Sequence, residues 1–463
     1  VQSLGRKIRK TRNKTAGKVE THPKNIYNFS GRKPMDYKKR LIDLQLDMGS
    51  KAFSAINIIG PKGCGKTRTA TERSKSVVSF HNPANGKQYI AMAKDDPVLL
   101  LKGVRPILFD EWQDAPEIWD AIRWECDNGA SFGDFYLTGS TGKMVKTKHT
   151  GTGRISTLRM LTMSCFEYGE SNGSVSLSSL FNDPSYEVRG QTPVSSSLED
   201  FMYSACRGGW PRSLEVKDKR GKLLIAKDYF NEICYHDVSA YDGVVRNESW
   251  ARAILQSYAR NIATPAKDSV LYLDVNSNYP MSSKTFENYV EVLKKLFILD
   301  EIDAWTPNIR SKKAIRSGKK KIFLDPSIAT SALDISPEYF LQDYDLFGHV
   351  FENLVLRDLL VYAGALNGHL RHYRDEQNLE ADAVLELQNG KYALIEIKTG
   401  SSRIEEAEEN LLKLASLIKK YNASNPSVAY REPEFLAVIV GNLPIAYTSK
   451  NGVKIIPFGA LGI

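Results

Sequence analysis

The sequence lacks the features that mark several classes of protein. Its five cysteines, at positions 64, 126, 165, 206 and 234, are scattered and have no CxxC spacing, which excludes a disulfide framework and a cysteine zinc site. No apolar run approaches the ~20 residues that span a bilayer. The first residues are basic and polar, without the apolar stretch of a secretory signal. We therefore expect a cytoplasmic protein with reduced thiols and no membrane partner.

Positive charge is in excess and is unevenly placed. The 463 residues carry a formal net charge of +9. Residues 1–25 hold eight Lys and Arg against one acid, and "RSKKAIRSGKKK", residues 310–321, has seven bases and no acid. Such clusters are typical of proteins that bind a nucleic-acid backbone, although a solvated tail and loop explain either cluster equally well. The second cluster supplies the candidate DNA contacts Lys312, Lys313, Lys319 and Lys320.

A phosphate-binding loop is the most specific motif in the chain. "INIIGPKGCGKTRTA" places GxxxxGK[ST] between an apolar strand and a helix. Glycines let the backbone N–H groups surround a phosphate, and the positive end of the following helix favours an anion. Lys66 is predicted to reach the β- and γ-phosphates of ATP, and the Thr67 hydroxyl to bind Mg²⁺. The predicted ATP-binding residues are Gly60, Pro61, Lys62, Gly63, Cys64, Gly65, Lys66 and Thr67.

Two carboxylates follow a second apolar strand, in "RPILFDEWQDAP". Neighbouring strands of a parallel sheet would bring Asp110 to the Mg²⁺ side of the loop, and Glu111 would polarise the attacking water. Without the loop, strand-Asp-Glu is more often a simple helix start. Because the phosphate loop is present here, we predict that Asp110 is a metal ligand and Glu111 a catalytic residue.

Hydroxyl and guanidinium groups after the next strands are further candidates. "DFYLTGSTG" ends in Thr138 and Ser140, which would hydrogen-bond the γ-phosphate or the water, or would only leave the strand. "GTGRISTLRM" supplies Arg154 and Arg159, either of which could stabilise the γ-phosphate of a neighbouring subunit. Such an arginine finger implies a homo-oligomeric ring, most simply a hexamer.

The segment "LYLDVNSNYPMSSKTFENYVEVLKKLFILDEIDAW" predicts a helix-turn-helix followed by a β-wing. Apolar residues at helical spacing face inward, so Lys284 and Thr285 lie on the exposed side, where such a helix meets a DNA groove. The same module also serves as a protein-protein contact.

Carboxylates converge near the end of the chain. "RHYRDEQNLEADAVLELQNGKYALIEIKTG" predicts a β-meander that brings Asp382 beside Glu396 and Lys398, and the preceding helix bears Glu352. Asp382, Glu396 and Glu352 could hold Mg²⁺ while Lys398 orients a water. The alternative is a salt-bridged cluster in a domain that only binds DNA.

These blocks carry a family resemblance. "GPKGCGKT", "LFDEW", "LTGST" and "GRISTLRMLTMSCFE" resemble the bacterial and archaeal AAA-type ATPases that end in a fused domain of unknown function, over most of residues 36–170. The resemblance implies a winged helix over "KTFENYVEVLKKLFIL". The helix Glu, Asp and ExK constellation resembles the PD-(D/E)XK nuclease superfamily, and archaeal Holliday junction resolvases within it. That likeness implies branched DNA as the substrate.

The predicted fold class is α/β, with an N-terminal parallel sheet and a C-terminal nuclease-like domain. The predicted segments are a basic arm (1–35), an ATPase core (36–170), a linker and helical lid (171–235), a winged-helix-like segment (236–305) and the nuclease-like domain (306–463). The expected function is an ATPase that remodels DNA. An ATP-regulated nuclease and a nucleotide-switched protein-interaction module are the alternatives.

Overall fold

The computed structural model describes residues 36–139, 150–195, 197–306, 318–375 and 379–463. It confirms the predicted α/β class, with an N-terminal parallel sheet, a helical middle region and a C-terminal sheet. All five cysteines are free. Among the described helices, none is both long and apolar enough to cross a membrane.

The N-terminal sheet is parallel throughout and has the strand order β2-β3-β4-β1-β5. Its central strands are buried along their whole length, as expected where helices cover both faces of a parallel sheet. The elements of this part are β1 (Ala55–Ile59), β2 (Ser76–Ser79), β3 (Ile107–Asp110), β4 (Phe135–Thr138), β5 (Ile155–Arg159), α1 (Ile42–Gly49), α2 (Lys66–Arg73), α3 (Gly86–Asp95) and α4 (Glu117–Asp127).

The serine-rich stretch after residue 170 is more ordered than the linker that its composition predicts. It contains β6 (Val175–Ser176) and α6 (Leu177–Asn182), which follow α5 (Cys165–Tyr168). Val175 and Phe181 are buried, and β6 pairs in parallel with the last strand, β15 (Leu461–Gly462). Buried apolar side chains and the pairing with β15 thus anchor the segment, although the serines around them suggest a loop.

Helices dominate the middle region and are followed by a short antiparallel pair. The helices are α7 (Leu198–Arg207), α8 (Lys219–Glu232), α9 (Val238–Ala240), α10 (Glu248–Arg260), α11 (Asp268–Asn276) and α12 (Ser283–Lys295). The pair is β7 (Leu299–Ile302) with β8 (Lys320–Phe323). Ser282 caps α12 by accepting a hydrogen bond from the Thr285 amide, a role for which serine is strongly preferred.

The C-terminal sheet has six strands in the order β13-β14-β12-β11-β10-β9 and mixes parallel with antiparallel pairs. The predicted meander is confirmed, since β10 pairs antiparallel with both β9 and β11. The remaining elements are α13 (Pro326–Ala332), α14 (Tyr344–Ala365), β9 (Gly368–Arg374), β10 (Glu380–Leu387), β11 (Tyr392–Gly400), α15 (Ile404–Ser424), β12 (Phe435–Asn442), β13 (Tyr447–Thr448) and β14 (Lys454–Pro457).

One hydrophobic core joins the middle helices to the C-terminal sheet. The Phe201 ring on α7 lies 5.7 Å from the Phe351 ring on α14 and 5.2 Å from the Phe458 ring, measured between centroids. Ile395 and Ile397 of β11 belong to the same core, whereas Leu394 faces α15 on the other side of the sheet. The same core also contains Val238 and Tyr258 of the predicted winged-helix-like segment.

Candidate nucleotide site and acidic cluster

The predicted phosphate loop connects the end of β1 to the start of α2. Gly60, Gly63 and Gly65 all have positive φ angles, of 152°, 72° and 108°. At Gly60 a Cβ would lie 2.0 Å from the carbonyl oxygen of Met160, so the position admits glycine alone. The loop thus adopts the strand-turn-helix context that the motif requires.

Lys66 is held within this loop. Its side chain is buried, and the ammonium donates hydrogen bonds to the carbonyl oxygens of Gly60 at 2.9 Å and Pro61 at 2.8 Å. These contacts place a cation at the first turn of α2, where the helix dipole already favours an anion.

Asp110 lies at the centre of a group of hydroxyls at the carboxyl ends of the strands. Its Oδ1 accepts hydrogen bonds from Thr67 and Thr138, both at 2.7 Å, and its Oδ2 accepts one from Ser79 at 3.1 Å. The structure therefore brings Asp110 into contact with Thr67, and the role of the two residues as Mg²⁺ ligands stays a prediction. Hard oxygen atoms beside a phosphate loop are the ligands that Mg²⁺ prefers, so Thr67 and Asp110 fit a magnesium ion.

Glu111 follows Asp110 in a left-handed backbone conformation, with a φ of 57°. The Glu111 carboxylate accepts a hydrogen bond from the side-chain amide of Gln113. The neighbouring Trp112 donates to Asn57 of β1 at 3.3 Å, which fixes the turn to the loop strand. Ser140, the other predicted hydroxyl, lies outside the described residues.

Two side chains that the sequence analysis missed, Arg40 and Asp237, hold the loop from outside. Arg40 donates to the carbonyl oxygens of Cys64 at 2.8 Å and Leu161 at 2.9 Å, and it is paired with Glu167. Lys62 pairs with Asp237 from the helical region. The sequence around Arg40 and Asp237 gives no sign of these contacts. Apart from the contact of Arg40 with Cys64, all of them join residues that are more than a hundred positions apart in the chain.

A β-bulge shapes the second site, on the C-terminal sheet. The pairing of β10 with β9 shifts between Ala381 and Val384, so that two residues of β10 lie opposite one residue of β9. Asp382 lies in this bulge, and its Oδ2 accepts a hydrogen bond from the Ile397 amide of β11 at 2.8 Å. The bulge therefore directs Asp382 toward Glu396 and Lys398, as the sequence predicts for these residues.

The structure adds a lysine to the predicted acidic cluster. Lys320 of β8 is buried and forms an ion pair with Glu352, and its Nζ lies 3.7 Å from Asp382 Oδ1. On the other side, Lys398 Nζ lies 2.6 Å from Glu396 Oε2 and 3.7 Å from Asp382 Oδ2. We call these five residues the acidic cluster. The placement corrects the prediction for Lys320, which is enclosed by carboxylates instead of lying on an exposed basic loop.

Burial and the two ammonium groups act in opposite directions on the carboxyls. Burial raises the pKa of Glu396 to about 9 and that of Glu352 to about 7. Burial acts in the same direction on Asp382, but the positive charges of Lys320 and Lys398 outweigh it, so the net pKa of Asp382 lies below its ordinary value. Asp382 is therefore the carboxylate that stays charged near neutral pH.

The acidic cluster does not fit a divalent metal ion as it is arranged. Two ammonium groups already occupy the space between its carboxylates. Within the described ranges, no group of three or more His, Cys, Asp or Glu side chains is placed to hold a metal ion. Glu380 and Glu386, the other nearby acids, are paired with Arg374 and Arg371 respectively.

Three family models match successive parts of the chain. Residues 52–169 match a model described as an AAA domain. This stretch contains the loop, Asp110 and Glu111. By this match we call residues 52–169 the AAA domain. Residues 198–339 and 347–458 match models described only as domains of unknown function, DUF8612 and DUF4143.

Comparison with whole proteins adds little to this assignment. No curated protein matches the chain. Among solved structures, replication initiator DnaA bound to AMPPCP and single-stranded DNA resembles it with 14% identity over 56% of this chain and 88% of that chain, at a TM-score of 0.23. A likeness at that score supports no functional argument.

The two predicted arginines lie at opposite ends of one strand of the AAA domain. Arg154 precedes β5, at the end of the strands that lies away from the loop, and pairs with Asp127 at 2.9 Å. Arg159 ends β5 beside the loop strand, pairs with Asp300 at 2.7 Å and lies over the Phe297 ring. Arg159 thus joins the AAA domain to the middle region of the same chain.

The predicted DNA-contact residues are placed unequally. Lys284 is exposed at the start of α12 and Thr285 is half-buried. Lys319 is exposed and pairs with Asp303 at 3.0 Å. Lys312 and Lys313 lie outside the described residues.

Proposed function

We propose that this protein is an ATP-hydrolysing AAA-type ATPase that binds and remodels DNA, with branched or junction DNA as the preferred substrate. The observation that carries the ATPase part is the contact of Thr67 with Asp110 at 2.7 Å beside a glycine-shaped phosphate loop. The motif, the loop geometry and the AAA family match all support it.

The residues of the loop and the adjacent strand ends have distinct roles in this proposal. Lys66 binds the β- and γ-phosphates, and Thr67 with Asp110 holds the Mg²⁺ that neutralises phosphate charge when it is bound. Glu111 takes a proton from the attacking water. Thr138 orients Asp110, to which it donates its hydroxyl hydrogen.

Arg154 is the better of the two finger candidates. Its side chain is 40% exposed, although it pairs with Asp127, and it lies at the end of the sheet opposite the loop of its own chain, which supports a role at the loop of another subunit. Arg159 is engaged with Asp300 inside the chain. We therefore propose a homo-oligomeric ring, most simply a hexamer, in which Arg154 reaches the neighbour's γ-phosphate.

DNA binding is proposed from charge and from the order of elements. Three helices, α10 to α12, are followed by the antiparallel pair β7 and β8, which is the order of a winged helix. Lys284 is exposed at the start of α12, and the basic segment of residues 310–319 connects the two strands of the pair. In this proposal the C-terminal domain is a DNA-binding platform that does not cut.

The test is the rate of ATP hydrolysis with single-stranded, duplex and four-way junction DNA. We expect stimulation by DNA, greatest with the junction, that falls steeply as salt is raised. Lys284→Glu should weaken the stimulation, whereas the matched variant Lys94→Glu, on the exposed side of α3, should not. If none of the three DNA substrates changes the rate of ATP hydrolysis, DNA remodelling is refuted and a protein-interaction module is favoured.

A further inference from the structure

We propose that Lys320 is the built-in cation of the acidic cluster, and that it excludes the divalent ion implied by the resemblance to nucleases. The C-terminal domain then acts without a metal ion. This inference concerns the platform role proposed above for that domain, and it explains how a nuclease-like set of residues would bind DNA without cutting it.

The position of Lys320 is fixed by the fold. Its strand, β8, is attached to α14 through Asn353, which donates to the Phe323 carbonyl oxygen at 2.8 Å and accepts from the Phe323 amide at 2.9 Å. Asn353 is the neighbour of Glu352, so the same contact holds Lys320 beside Glu352. Lys320 Nζ also donates to the carbonyl oxygen of Asp382 at 3.2 Å.

The carboxylates are arranged around ammonium groups. Lys320 faces Glu352 and Asp382, and Lys398 faces Asp382 and Glu396, so that each carboxylate has a cation within 4 Å. A carboxylate already paired with a resident ammonium loses that pairing if it binds a metal ion, and two like charges in one buried space repel each other.

Removal of the Lys320 charge should leave room for a cation. Glu396 Oε1 is fully buried and, among the described residues, has no hydrogen-bond partner. A cavity of about 120 Å³ opens beside the cluster and is lined by Lys320, Glu352 and Asp382 among others. Without the Lys320 ammonium, Glu352 and Asp382 would face this cavity without a cation between them, and carboxylate oxygens beside a polar cavity are what a divalent ion would use.

The next residue along β8 offers a matched control. Lys321 is also buried, but it faces the opposite side of the strand and pairs with Asp268 and Glu301. Loss of its charge disturbs the same strand to a similar degree and leaves the acidic cluster intact.

The experiment is a titration of the full chain with Mn²⁺, followed by electron paramagnetic resonance, in the absence of nucleotide and DNA. Every protein carries Asp110→Asn, so that the loop does not contribute a ligand. We compare the parent with Lys320→Met, Lys320→Gln and Lys321→Met, and circular dichroism verifies that each one is folded. Since neither ATP nor DNA is present, the outcome is independent of the proposed ATPase and DNA functions.

We expect no Mn²⁺ site in the parent or in Lys321→Met. Both Lys320 variants should gain a site that binds Mn²⁺ at least tenfold more tightly than any residual binding by the parent, and Asp382→Asn should abolish that site. Mn²⁺ binding by the parent that Asp382→Asn removes would overturn the proposal, whether or not the Lys320 variants fold. Folded Lys320 variants that bind no Mn²⁺ would also overturn it, since Lys320 would then not be what excludes the ion.

Discussion

At the residue scale, single side chains in this protein depend on neighbours from distant parts of the chain. Asp110 receives three hydroxyl hydrogen bonds from three different elements. His372 of β9 is buried, and its Nε2 donates a hydrogen bond to the carbonyl oxygen of Gly318, 54 residues away, at 3.0 Å. These environments decide the role of each group.

Glu111→Gln should separate binding from hydrolysis. The amide keeps the size of the side chain but cannot accept a proton from the water, so turnover should fall by about 10²-fold or more while nucleotide binding persists. Lys66→Ala should instead lose nucleotide binding, because the cation within the loop disappears. Fluorescent-nucleotide titration and phosphate release distinguish the two. Equal loss of binding in both variants would contradict the assigned roles.

His372 should make stability depend on pH. Burial lowers its pKa to about 4 from an ordinary value of 6.5, with Lys320 and Arg374 acting in the same direction and Asp303 and the Gly318 carbonyl opposing them. The unfolded chain binds a proton near pH 6.5 and the folded chain only near pH 4, so stability is lost as the pH falls between these values. The loss is at most about 1.4 kcal/mol per pH unit.

Urea unfolding at pH 7.5 and pH 5 measures this effect. His372→Asn should lose less stability than the parent on acidification, by about 2 kcal/mol. The control is His369→Asn, which changes an exposed histidine on the same strand. If the parent and His372→Asn lose the same amount, the histidine does not have the assigned environment.

At the scale of elements, the connections between strands and helices carry the sites. The phosphate loop connects β1 to α2, and the bulge in β10 directs Asp382 into the acidic cluster. Both are short irregular segments on a rigid sheet, which is where binding residues commonly lie.

Gly60→Ala should destabilise the loop by about 2 kcal/mol or more, because a Cβ at this position would lie 2.0 Å from the Met160 carbonyl oxygen. Gly129→Ala is the control, since Gly129 also has a positive φ, of 131°, but faces open space. Thermal unfolding and nucleotide titration measure both variants. A Gly60 variant no less stable than the control would show that the contact with Met160 is not a constraint.

At the scale of the whole molecule, a buried ionic network joins the three family-matched parts. Arg357 of α14 pairs with Asp325 at 3.2 Å and with Asp358 at 2.6 Å. Asp358 accepts from the amide of Cys165 at the end of the AAA domain, and Asp325 accepts from the amide of Gly209 in the helical region. Because all of these groups are buried, the parts are held by contacts that tolerate little change.

Arg357→Met should cost about 3–5 kcal/mol of unfolding free energy, because it leaves Asp325 and Asp358 buried without their cation. Arg371→Met removes a half-exposed pair with Glu386 and should cost less than about 1 kcal/mol. Guanidinium unfolding followed by tryptophan fluorescence compares them. Similar costs for the two variants would mean that the network does not hold the parts together.

The sequence by itself determined the local chemistry. The phosphate loop, the strand that presents Asp110, the cap of α12 and the meander that carries Asp382 and Glu396 all follow from residue types at fixed spacing. Hydrophobic periodicity, glycine positions and capping residues act over a few residues, so they are readable without the tertiary structure.

Only the tertiary structure decided which distant residues meet. It placed Lys320 among the carboxylates, Arg40 and Ser79 at the nucleotide site, and Arg357 between three parts of the chain. A lysine in a basic run suggests an exposed contact, and nothing local indicates that its strand passes beside α14. Ion pairs between segments depend on packing and register, which a one-dimensional pattern of charge does not contain.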